Sequence, residues 1–149
     1  MKQTWIPGIG IFLLILASCT LNADQEQAFN KEMSRYMDAV NTGATLREVS
    51  MTYPGYVRYV KSKGPEFFKA TFGADREKEA RMGSSVIRKT VKKGKNIQIL
   101  FQVEVDHYPE ANTYKQFAGI SGDDGVSWFF LPYTAYKDKK IGPELKRLL

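Results

Sequence analysis

The sequence predicts an α+β fold: N-terminal helices packed against a curved antiparallel sheet of about four strands. Apolar residues recur at three- and four-residue steps in the first third, and from about Val86 the period changes to the alternation of a strand. Strong turn signals separate the alternating segments. Helices first and strands afterwards is the order of an α+β chain, in contrast to the interleaved order of a parallel sheet.

Phe29, Met33, Tyr36, Met37 and Val40 form the stripe of an amphipathic helix. It is expected to start near Asp24, whose carboxylate suits a helix N-terminus, and to stop at Gly43. Thr45-Leu46-Arg47-Glu48 has the form of a capping box opening a second helix. Pro54 and Gly55 interrupt that helix, and a third short piece is signalled by Gly64-Pro65 at its start and Gly73 at its end. Ile97, Ile99, Phe101, Val103 and Val105 then share one face of a strand, with Gln98, Gln102, Glu104 and Asp106 on the other and Leu100 as the exception. Val86 to Lys92 reads as its hairpin partner through Lys93-Gly94-Lys95-Asn96. Thr113 to Ser121 and Val126 to Leu131 flank a further turn at Gly122-Asp123-Asp124-Gly125. Trp128 and Phe129 must point to opposite faces of that last strand.

The N-terminus has another character. A cationic start at Lys2, an apolar stretch from Ile9 to Leu16 and the small residues Ala17 and Ser18 have the three parts of an export signal. The stretch is well short of the roughly 20 residues that span a bilayer, and Pro7, Gly8 and Gly10 break its front. Leu16-Ala17-Ser18-Cys19 resembles the lipobox of bacterial lipoproteins. That resemblance implies cleavage between Ser18 and Cys19, acylation of Cys19 and attachment through two or three acyl chains, enough for stable anchoring. With Thr20, and no Asp, after the cysteine, it implies the outer membrane facing the periplasm, or the outer face of the membrane where there is one. The bland alternative makes Cys19 a small apolar residue in an ordinary signal.

These assignments divide the chain into a signal (1–18), a lipidated cysteine with a tether (19–23) and one α+β domain (24–149). Lipidation of Cys19 would leave no cysteine for a disulfide, so the core must hold the domain alone. At 43% hydrophobic and 26% charged the composition is that of a folded chain. "TYPGYVRYVKSKGPEFFKATFG", "VKKGKNIQILFQVEV" and "FAGISGDDGVSWFFL" resemble segments of small uncharacterised bacterial lipoproteins with a nuclear transport factor 2-like, or cystatin-like, cone. The resemblance implies that fold and brings no activity with it.

Chemistry has few candidates. His107, the only histidine, sits in Asp106-His107-Tyr108-Pro109 where a strand reaches a loop. It would serve as general acid or base in a cavity enzyme of the isomerase or cyclase kind, assisted by Tyr56 or Tyr59, or else it is a solvated loop residue. One histidine and no mature cysteine do not complete a zinc site of typical spacing. Asp123-Asp124 offers too few oxygens for a calcium loop and reads better as a turn. No G-x-S-x-G elbow or phosphate-cradling loop is present, and no cofactor is implied.

Tyr53, Tyr56 and Tyr59 would share a helical face able to meet a small apolar ligand, unless they pack beneath the sheet. The formal net charge is +6. Arg88, Lys89, Lys92, Lys93 and Lys95 cluster at one hairpin, suited to anionic head groups, acidic glycans or an acidic envelope component, or to guarding a strand edge. Nucleic acid is not an expected partner outside the cytoplasm. The sequence therefore predicts a membrane-anchored, non-catalytic ligand- or protein-binding module, with the cavity enzyme as the alternative.

Overall fold

Asn22 fixes where the first described helix begins. In the computed structural model, which describes residues 20–74, 82–105, 114–138 and 140–141, its side-chain oxygen accepts from the Gln25 amide at 2.8 Å. The Gln25 side chain in return accepts from the Asn22 amide at 3.1 Å. This reciprocal capping box opens α1 (Ala23–Thr42), and Gly43 closes it in the left-handed conformation at φ 68°. Leu21 already packs on the core. Of the four residues expected as a tether, Thr20 to Ala23, Leu21 packs on the core, Asn22 caps α1 and Ala23 opens it, so Thr20 alone lies outside packed or capped structure.

The helices that follow are α2 (Thr45–Met51), α3 (Pro54–Ser62) and α4 (Pro65–Phe72), and proline opens the last two. The capping box expected at Thr45 and Glu48 does not form. Thr45 is the first helical residue of α2, and its hydroxyl donates at 2.7 Å to the Phe72 carbonyl at the end of α4. That carbonyl has no partner inside its own helix, so capturing it joins α2 to α4.

Four strands form one antiparallel sheet in the order β1 (Met82–Lys93), β2 (Asn96–Val105), β3 (Tyr114–Ser121), β4 (Phe129–Pro132), and α5 (Tyr133–Tyr136) follows directly. The class is α+β, as the sequence predicts. β4 is shorter than expected because the Ser127 amide donates to the Asp123 carboxylate at 2.8 Å, which keeps Val126 and Ser127 in the turn. Segment 106–113, with His107, and residues 1–19, with Ser18 and Cys19, lie outside the described residues.

Alternation along β2 behaves as read: Ile97, Ile99, Phe101, Val103 and Val105 are all buried. They meet α1 through Phe29, whose ring lies 5.5 Å from Phe101, 5.0 Å from Trp128 and 6.0 Å from Phe130. Tyr36 stacks on Phe130 at 5.0 Å. Among the described residues, these rings occupy the space between α1 and the sheet. Gly119 makes room for them, since a β-carbon there would stand 2.8 Å from the Phe29 ring and 3.3 Å from Phe130.

The opposite face is not the plain solvent face that its glutamines suggest. Ala118, Ile120 and Leu131 pack there with Ala135, Tyr136 and Ile141, and Leu100 joins them, which explains the break in the polar pattern. Gln98 is 1% exposed, and its side-chain oxygen accepts from the Tyr136 hydroxyl. Of the paired aromatics, Trp128 is buried on the α1 side and Phe129 is half-buried on the other. Between α2 and α3 the chain passes from one face to the other around the edge of β4. There the Tyr53 amide donates to the Phe130 carbonyl at 2.8 Å, so the passing segment covers that edge.

Two outcomes check this packing. Gly119→Ala should cost about 1–3 kcal/mol in denaturant unfolding by overpacking the Phe29 contact. Burial also raises the Tyr136 phenol from 10.0 to about 12. Between those pH values the unfolded chain loses this proton and the folded chain keeps it, so the contribution of Tyr136 to stability falls as pH rises. Tyr136→Phe should flatten the wild-type loss of stability across that window, and parallel pH profiles would count against the assignment.

Candidate functional site

The end of the domain where α1 begins is built around Asp124. Its carboxylate oxygen Oδ1 accepts from Gln25 Nε2 at 2.9 Å and meets Lys92 Nζ at 2.8 Å. Gln25 also donates to the Asp124 carbonyl at 3.0 Å, and the Asp124 amide donates to the Lys95 carbonyl at 2.8 Å. One residue thus ties the first turn of α1 to both hairpin turns. Gly125 follows at φ 86°, and a β-carbon there would stand 2.8 Å from Gln25 Cγ. Next door, Asp123 is held below the usual carboxylate range by the Ser127 amide, with the Ser121 hydroxyl adding to it.

This geometry changes the reading of the basic hairpin. Lys92 is engaged by Asp124, while Lys93 and Lys95 are exposed at the turn. The exposed acids Asp24 and Glu26 flank Gln25 in the first turn of α1, and Asp123 is exposed beside them. The cluster that looks basic in sequence is electrically mixed once folded.

The tyrosines separate at Pro54. Tyr53 precedes α3, whereas Tyr56 and Tyr59 lie within it. All three are half-buried against Ala118, Ile120, Leu131 and their neighbours. Tyr56 also meets Phe72 edge-on at 6.1 Å, and Lys63 lies 5.2 Å over the Tyr59 ring. Their apolar surface is largely used in joining α3 to the sheet and to α4.

A different constellation stands on the sheet face away from α1. In the β1–β2 register Ile87 faces Phe101 and Lys89 faces Leu100, so Arg88 is the extra residue of a bulge. Bulges re-aim side chains. Here Arg88 Nε donates to Gln102 Oε1 at 2.7 Å. Arg88, Leu100, Gln102, Gln116 and Tyr133 line a shallow recess of about 100 Å³. Tyr133 is fixed by stacking on Tyr136 at 5.9 Å and by Lys137 Nζ, 4.9 Å from its ring. In the sequence Arg88 belongs to a lysine-rich cluster, and nothing there singles out Gln102, Gln116 or Tyr133. The bulge that gathers them leaves no mark in the alternation. Among the described residues no three His, Cys, Asp or Glu side chains come together as a metal site.

The Asp124 junction has a direct stability test. Gln25→Ala, which removes a buried amide and both of its bonds to Asp124, should cost about 1–3 kcal/mol. Lys92→Ala, which breaks a partly exposed ion pair, should cost less than about 1 kcal/mol. Equal losses in chemical denaturation would contradict this division of roles. The chain matches no known protein family, no curated protein and no solved structure, so the candidate site rests on geometry and chemistry.

Proposed function

We propose that the protein is a membrane-anchored envelope lipoprotein whose α+β domain acts as a non-catalytic binding module. The observation that carries the anchoring is Leu16-Ala17-Ser18-Cys19 at the end of an export signal, followed almost at once by packed structure. Asn22 caps α1 three residues after Cys19, a separation of at most roughly 11 Å. Acyl chains on Cys19 would hold the junction of α1 and the two hairpins close to the bilayer surface. Among the described residues no helix is long and apolar enough to cross a membrane.

Binding, in preference to catalysis, is supported by the rings that fill the space between α1 and the sheet, where a cavity enzyme of the isomerase or cyclase kind would hold its substrate. The order of four helices before four consecutive strands supports reading the fold as a cone of the nuclear transport factor 2-like kind.

The anchoring has a specific test in a bacterial host. The wild-type chain should take up a fatty-acid probe and float with membranes in a density gradient. Cys19→Ala should abolish probe uptake and leave the signal uncleaved. Unchanged labelling of that variant would overturn the role given to Cys19.

A further inference from the structure

We propose that the recess formed by Arg88, Leu100, Gln102, Gln116 and Tyr133 binds a small ligand through its carboxylate. The inference deepens the binding-module reading and rests on it. Four observations lead there.

First, the β1 bulge turns Arg88 onto the outer face of the sheet, where Lys89, opposite Leu100, adds a second positive charge. Second, the guanidinium is oriented. Gln102 accepts from Nε, and neither terminal nitrogen has a partner among the described residues, so one edge of a planar fork is left open. Such a fork takes a carboxylate through two parallel hydrogen bonds. Third, the Gln116 amide and the Tyr133 hydroxyl also have no hydrogen-bond partner among the described residues, and Leu100 supplies an apolar floor. Fourth, the recess, at about 100 Å³, is far smaller than the clefts that enclose a drug-sized ligand, so it would hold one charged end of a molecule.

Glu104 stands one step further along the same face of β2, roughly 7 Å on, and limits how strongly an anion is held. Position also favours the idea. Arg88 lies six residues from Gly94, or roughly 20 Å along β1 from the hairpin turn at the tethered end. An anchored domain would present this recess clear of the head groups.

The test uses the full chain in detergent micelles and follows the side-chain amide resonances of Gln102 and Gln116. Two matched pairs of probes distinguish the sources of the carboxylate: N-acetylalanine against its carboxamide, and glucuronic acid against glucose. At least one acid should give saturable shifts that its neutral twin does not. The acid that binds more tightly tells a peptide terminus from an acidic sugar. Arg88→Lys keeps the charge and loses the fork, so it should weaken binding roughly tenfold. Tyr133→Phe should weaken it by a smaller factor. Equal shifts from acids and neutral twins, no shift from either acid, or undiminished binding by Arg88→Lys would each overturn the proposal. Micelle binding does not depend on acylation, so failure at the recess is distinguishable from failure of the Cys19 labelling test.

Discussion

The domain is organised around the Phe29 ring in the gap that Gly119 leaves on β3. α1 has one face of aromatic and long apolar side chains, and the sheet offers β2 and β4 rings on the same side. The two surfaces close only where a strand residue without a side chain lets Phe29 reach Phe101, Trp128 and Phe130 together. Burial of such rings is the largest stabilising contribution available to a chain without disulfides. The orientation of α1 follows from this contact, and with it the position of Gln25 above Asp124.

From that fixed helix the rest of the layout can be traced. The chain leaves the α1 side at Met51 and crosses the edge of β4 with a backbone hydrogen bond at Tyr53. It then builds α3 and α4 beyond, so one edge of the sheet is covered by its own connection. The other edge, β1, is long and largely exposed. Charged side chains and two register shifts protect it, features that discourage pairing with a second chain. One of those shifts also aims Arg88 across the outer face, so the device that guards the edge positions the residue on which the recess depends.

Much of the fold was legible in the sequence, for a physical reason: periodicity reports burial on one face. The α1 stripe, the five inward residues of β2 and the glycine-marked turns all follow it. What escaped depends on contacts distant in sequence. Gln98 looks solvated until Tyr136 is folded over it, and Thr45 looks like a cap until the free carbonyl of Phe72 is brought beside it. The hairpin lysines look like a uniform basic patch until Asp124 and the acids of α1 arrive. The recess was least legible, because a one-residue bulge has no period. Cys19 is the opposite case, in which a local motif alone carries the reading.

The central claim joins that motif to the domain: lipid on Cys19, one free residue, then packed structure from Leu21 onward. Mass spectrometry of the N-terminal peptide of the protein purified from membranes tests it most directly. The account predicts a peptide beginning at Cys19, residues 1–18 absent, carrying the mass of a diacylglyceryl group with or without an added acyl chain. A peptide beginning at Met1, or at another residue with an unmodified thiol downstream, would contradict it.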